Sequence, residues 1–215
     1  MTSIDAPLPP LLTARGLRFS RDGESIFGPL DLEVAGGAAL VVEGGNGAGK
    51  TTLLRVLAGL LDASDGEIAW QGAVLDGGRR VAGSIALLGH QLGLKGDLTP
   101  RENLRFRLAL GGLRTGITAD AALRSVGLEG YEDAPVRTLS AGQRKRSALA
   151  ALLLSPAALW LLDEPYANLD RGGQQVVDRM LETHCLRGGS VVFTSHGLFT
   201  PGLSRMATLD LGGRA

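Results

Sequence analysis

The chain has 215 residues, 44% hydrophobic and 20% charged, with 22 basic side chains balanced by 22 acidic ones. That length and composition suit one globular domain, or one domain with a small insertion, and exclude a disordered chain. Zero net charge argues against a protein held on nucleic acid by bulk electrostatics, and the single cysteine, Cys185, leaves no internal disulfide.

Met1 to Asp5 has no basic region and soon meets Pro7, Pro9 and Pro10, so no secretory signal is expected. Leu11 to Phe19 and Leu30 to Val34 read as short strands on either side of Arg21-Asp22-Gly23. Ala38 to Val42 is a continuous apolar run, the pattern of a strand buried on both faces. A glycine-rich loop follows, then Lys50 to Leu60 with apolar residues at helical spacing, and Ser84 to Leu88 reads as a further strand. From about residue 92 the pattern turns helical. Thr99-Pro100-Arg101-Glu102 is a capping box with proline at the first helical position, predicting a helix to about Leu110. Thr118 to Val126 predicts a second helix closed by Gly127, and Ser140 with Gln143 three residues on opens a third. Leu159 to Leu162 and Val191 to Thr194 read as strands around a helix near Gln174 to Cys185. The alternation implies a mostly parallel α/β sheet with a helical insertion at about 92–150. The longest charge-free run, Ser147 to Leu162, is 16 residues long and broken at Ser155-Pro156, so it is read as a helix end and a buried strand. A membrane span needs about 20 residues.

Two motifs carry chemistry. Gly44-Gly45-Asn46-Gly47-Ala48-Gly49-Lys50-Thr51 is a full P-loop pattern between a predicted strand and a predicted helix. Its backbone N–H groups and the helix N-terminus suit phosphate oxygens; Lys50 suits the β- and γ-phosphates, and Thr51 suits Mg²⁺. Thr52 is counted with the nucleotide-binding residues. Leu159 to Leu162 then delivers Asp163 and Glu164 to a strand end, Asp163 as the Mg²⁺-holding acid and Glu164 as the group that polarises the attacking water.

Leu139-Ser140-Ala141-Gly142-Gln143 resembles the signature of ATP-binding cassette (ABC) ATPases, with Ala141 where glycine is usual. Gln91, Asn168-Leu169-Asp170 and His196 are similar, in the same order, to that family's Q-loop, D-loop and H-loop. The resemblance spans Gly44 to His196 and implies a P-loop NTPase, RecA-like mixed-sheet core, with an N-terminal antiparallel β subdomain and the helical insertion. The whole of residues 1–215 is then a single ATPase domain. It implies ATP and Mg²⁺ as ligands and two copies paired head to tail in an ATP sandwich. Ser140 and Gly142 would contact the γ-phosphate of ATP held by the other copy, Gln91 would sense Mg²⁺ and the attacking water, and His196 the γ-phosphate. Where the family stacks an aromatic ring on adenine, spacing places Arg21, which either stacks as a guanidinium plane or is solvated beside Asp22. His90 and His184 have no such context and receive no role.

Within the family, Leu88 to Lys95, Leu98-Thr99, Glu102-Asn103-Leu104, Ala141, Arg144-Lys145-Arg146, Arg21-Asp22 and the short stretch after His196 resemble the ATP-binding subunits of cytochrome c maturation systems. That resemblance implies haem export together with an integral membrane subunit, CcmB, and a peripheral place on the cytoplasmic face of the inner membrane. No haem-attachment motif occurs, and direct haem binding is not expected; Cys185 is read as packing. The residues from Gln91 to Arg146 carry ten basic against six acidic side chains, which marks the insertion as the docking surface or simply as a solvated helix surface, with Arg144 to Arg146 serving the nucleotide interface in part. Export of lipid, lipoprotein or drug is the alternative substrate reading. A soluble ABC ATPase acting on nucleic acid would need a coiled-coil insertion or tandem cassettes. A P-loop kinase for small molecules leaves Leu139 to Gln143 and His196 unexplained.

Overall fold

The computed structural model describes residues 10–75, 83–111, 116–195 and 203–212. Along the chain run β1 (Pro10–Arg21), β2 (Glu24–Ala35), β3 (Ala39–Glu43), α1 (Lys50–Leu57), β4 (Asp65–Trp70), β5 (Ala73–Val74), β6 (Ile85–Leu88), α2 (Pro100–Gly111), α3 (Ala119–Ser125), α4 (Ala141–Leu154), β7 (Leu159–Leu162), α5 (Arg171–Leu186), β8 (Ser190–Thr194) and β9 (Met206–Asp210). Antiparallel and parallel strands sort into separate sheets, one ordered β2-β1-β4-β5 and one ordered β6-β7-β8-β3-β9. Every described pairing in the second sheet is parallel.

Strand periodicity explains why the parallel strands read as unbroken apolar runs. Alternate residues feed opposite cores. Leu40, Val42, Leu159, Leu161 and Val192 pack with Leu53, Leu54 and Leu57 of α1 and with the inner face of β1 and β2. Val41, Trp160, Leu162, Val191 and Phe193 point the other way, into a core shared with α4, α5 and the helices between β6 and β7. Apart from the half-buried Glu43, every residue of β3, β7 and β8 is buried, and the polar ones, Glu43, Ser190 and Thr194, stand at strand ends.

The helices form with the predicted caps. Thr99 Oγ1 accepts the Glu102 N–H while Glu102 Oε2 accepts the Thr99 N–H. Thr118 caps α3, and Ser140 with Gln143 completes a capping box on α4. The boundaries differ where glycine or exposure intervenes. α1 ends at Leu57, not Leu60, because Gly59 turns the backbone left-handed at φ 66°. β1 and β2 are 12 residues each, longer than their apolar pattern predicts, because irregular pairing near Gly16 breaks the alternation. β4, β5 and β9 were not predicted; their mostly exposed or half-buried residues lack the apolar signal of a core strand.

At the base of α5, His184 is a core histidine. Its ring stacks on Trp160 at 3.8 Å between centroids, and Nε2 lies 3.1 Å from the Ala158 carbonyl oxygen. Cys185 beside it packs against the same core, and burial with help from Glu182 pushes its thiol up to about 11, the expected packing role. A Cβ on Gly189 would lie 2.3 Å from the His184 ring, so only glycine lets the chain pass. Gly189→Ala is expected to lower stability by about 1–3 kcal/mol through overpacking. In a His184→Ala background the penalty should shrink, since the two sites share one contact. Equal urea midpoints for Gly189→Ala and the parent would contradict this packing.

Candidate nucleotide site

Parallel register brings four strand ends to one edge of the second sheet. Val42 pairs with Thr194, Phe193 with Leu162, and Leu162 with Leu88. Residues 44–49 leave β3 there, Asp163 and Glu164 leave β7, Ser195 leaves β8, and Gln91 follows β6 by three residues. In open parallel sheets ligands bind at this end.

The loop before α1 owes its shape to glycine. Gly44, Gly47 and Gly49 have φ of 144°, 82° and 90°, and a Cβ on Gly49 would press to 3.0 Å from Ile26 on β2. Gly45, Asn46 and Gly47 are exposed, while Ala48 is half-buried. Lys50 is buried, and its ammonium donates to the Gly44 and Gly45 carbonyls at 2.6 and 2.9 Å. The helix it opens has no side-chain cap and no acidic residue in its first turn, whereas α3, α4 and α5 are capped by Thr118, Ser140 and Asp170. A helix N-terminus without its own cap, next to a buried cation, fits a phosphate group.

Asp163 sits at the centre of a hydrogen-bonded chain. Thr51 Oγ1 donates to Oδ2 at 2.9 Å, and Thr194 Oγ1 donates to Oδ1 at 2.9 Å. The same Thr194 oxygen accepts the Glu164 N–H at 2.8 Å. Glu164 takes a left-handed φ of 49°, an uncommon conformation for a side-chain-bearing residue, so this bond fixes a turn that needs fixing. Thr51 and Asp163 offer adjacent hard oxygens, and among the described residues no cluster of three or more His, Cys, Asp or Glu forms. That donor set fits Mg²⁺, which relies on few protein ligands together with phosphates and water.

The remaining expected residues lie around this centre. Thr52 is half-buried on α1. Gln91 is exposed and lines a pocket of about 410 Å³ with Leu92, Leu94, Val136, Arg137 and Arg144; it makes no hydrogen bond to Thr51 or Asp163 among the described residues. Ser140 is exposed at the start of α4, its Oγ accepting the Gln143 N–H. Gly142 runs close to the Asn168 carbonyl oxygen, where a Cβ would come within 3.0 Å, while the exposed Ala141 has room for its methyl. Arg21 is exposed at the β1–β2 turn with its guanidinium 6.0 Å above the Phe19 ring. His196 lies outside the described residues.

Two residues of the site, Thr194 and Tyr166, have no assignment in the sequence, and a third, Lys145, is placed differently. Thr194 read only as a strand residue. Tyr166 donates from Oη to Asp178 on α5 at 2.8 Å, tying down the turn after Glu164. Lys145, expected on a solvated surface or at the nucleotide interface, is instead buried, its Nζ donating to the Asp163 carbonyl at 3.3 Å. Burial lowers its pKa, against the pull of Asp163 and Glu164. Its neighbours in the basic run bind carbonyls, Arg144 at Leu139 and Arg146 at Gly127.

Thr194→Val keeps the shape of this side chain but removes the donor to Asp163 and the acceptor for Glu164. The expected loss is about 1–3 kcal/mol, the cost of stranding buried polar groups. Chemical denaturation measures it, with Thr194→Ser staying near the parent; a valine variant as stable as the parent contradicts the bridging role.

The ABC transporter family profile matches residues 27–167. The chain is 56% identical over 204 residues to the cytochrome c biogenesis ATP-binding export protein CcmA of Xanthomonas campestris pv. campestris, covering 94% of this chain and 95% of that one. It is 46% identical to the protein of that name from Methylococcus capsulatus, over 89% and 92% of the two chains. Among solved structures, a putative ABC transporter ATP-binding protein from Pyrococcus furiosus superposes with a TM-score of 0.80 at 25% identity, covering 92% of this chain and 96% of that one. Family profile, near-full-length identity and fold agree: the chain belongs to the ATP-binding subunits of ABC transporters and, within them, to the CcmA group.

Proposed function

We propose that this chain is the ATP-hydrolysing subunit of an exporter for cytochrome c biogenesis, with haem as the transported substrate. The observation that carries the reading is the 56% identity over 94% of the chain to a protein named as a cytochrome c biogenesis ATP-binding export protein, in a chain that holds Thr51, Asp163, Thr194 and Glu164 in one bonded chain; haem as the cargo is our reading of that name. No haem contact is assigned to the chain itself. Export of a lipid, lipoprotein or drug is the alternative, and no described feature favours it. Among the described residues no helix is long and apolar enough to cross a membrane. By resemblance to that group, we place the subunit peripherally on the cytoplasmic face of the inner membrane, through an integral partner resembling CcmB.

In the proposed cycle, residues 44–52 wrap the phosphates of ATP and the Lys50 ammonium neutralises them. Mg²⁺, held by Thr51 and Asp163 with Gln91 near it, would supply charge neutralisation on the β- and γ-phosphates. Glu164 accepts the proton of the water whose oxygen attacks the γ-phosphorus; the bond to the bridging oxygen breaks, leaving ADP and inorganic phosphate. By the family resemblance His196 would contact the γ-phosphate, and Arg21 would either stack on adenine as a guanidinium plane or stay solvated beside Asp22. Ser140 and Gly142 of a second copy close the site from outside with the α4 N-terminus.

Glu164→Gln should bind ATP normally but hydrolyse it roughly 10²–10⁴-fold more slowly, as loss of a general base does. Cells carrying only this variant should lose covalently bound haem from their c-type cytochromes on haem-stained gels. Normal turnover moves the base elsewhere, and normal staining removes the biogenesis role.

The paired arrangement has its own test. Ser140→Arg and Lys50→Ala are each expected to be inactive alone, yet an equimolar mixture should recover part of the activity, because one composite site joins two intact halves. A Ser140→Arg protein that hydrolyses ATP at full rate as a monomer would rule out the sandwich.

A further inference from the structure

The first two turns of α4 are fastened to the turn that carries the hydrolytic carboxylates. Gly142 packs against the Asn168 carbonyl oxygen, and Lys145, three residues later on the same helix face, donates to the Asp163 carbonyl oxygen at 3.3 Å. The far side of that turn is held too: Tyr166 Oη donates to Asp178, and Asp170 caps α5. Lys145 is only 6% exposed, so its charge serves neither solvent nor an incoming phosphate from outside. The opposite charges that act on it are those of Asp163 and Glu164.

We propose that Lys145 is a positioning residue for hydrolysis, linking the Ser140 end of α4 to the Asp163–Glu164 peptide of the same subunit. The proposal rests on the reading of Ser140 and Glu164 given above. When a second copy engages the exposed Ser140 end, the helix and its buried cation bear on the peptide that aims Glu164. Each subunit's carboxylates thus register whether its own α4 is occupied across the interface. A side chain kept for packing alone would be replaceable by methionine, which fills a like volume and gives up one hydrogen bond to a backbone carbonyl.

The test compares Lys145→Met, which keeps the shape and drops the charge and donor, with Lys145→Arg, which keeps both. Nucleotide affinity, kcat, the Hill coefficient for ATP and thermal melting are measured on the full chain with Mg²⁺. The Met variant is expected to melt near the parent and bind ATP within about threefold. Its kcat should fall between about tenfold and 10²-fold, the scale of a small misplacement of a reacting group, and its Hill coefficient should drop towards one. The Arg variant should keep most of the parent kcat. Should the Met variant fail to fold, Lys145→Gln carries the same readouts. The proposal is overturned by a Met (or Gln) variant with kcat within twofold of the parent, by a parallel loss of ATP affinity, or by an Arg variant as slow as the Met variant. Glu164→Gln is run alongside. If it turns over at full rate, the base assignment beneath the proposal fails; if it is inactive while Lys145→Met is fully active, the proposal alone fails.

Discussion

A carboxylate buried at the end of an apolar strand is costly unless donors surround it. Asp163 is 5% exposed, and its two oxygens accept hydrogen bonds from the hydroxyls of Thr51 and Thr194. Those threonines, Thr51 on α1 and Thr194 on β8, stand 143 positions apart in sequence. The neutral donors satisfy the carboxylate's hydrogen bonds and leave its charge for a cation. The architecture around it follows from bringing these elements together. Sheet register sets Leu162 beside Phe193, so that Asp163 and Thr194 meet, and the glycine loop returns the chain from β3 to place Thr51 against the other oxygen.

The helices between β6 and β7 are held to this centre by polar contacts as well as by the core. Asn103 of α2, 4% exposed, exchanges hydrogen bonds with both the N–H and the carbonyl of Lys95, and Arg107 donates to the Leu92 carbonyl. The segment after Gln91 is thereby clamped to α2. Within the helical region Arg101 ties Asp120 to Asp133. These ion pairs are partly exposed, so they orient α2 against α3 more than they stabilise it.

The sequence showed the parallel core and the glycine loop before α1 plainly because both obey local rules. A strand buried on both faces is apolar through its middle, and a loop with left-handed backbone at Gly44, Gly47 and Gly49 is rich in glycine, so β3, β7, β8 and residues 44–51 stood out. The same locality made the capping boxes at Thr99 and Ser140 readable. What stayed hidden depends on partners distant in sequence. β4 and β9 are strands because β1 and β3 offer them edges, and their own half-exposed residues announce nothing. Thr194 matters only because Asp163 lies one strand away. Lys145 looked like part of a surface run, since burial is decided by how α4 docks; the one local hint is that Lys50 and Lys145 are two of only three lysines in an arginine-rich chain.

The first turn of α1 has no cap from its own side chains, unlike α3, α4 and α5. The folded state thus has unmet donors at this end, and a phosphate bound there, as proposed above, would couple ligand binding to stability. A ligand present at 100 times its dissociation constant adds about 2.7 kcal/mol to the folded state, comparable to a good part of a domain's margin. Nucleotide supply would then govern how long each subunit survives proteolysis as well as how fast it works.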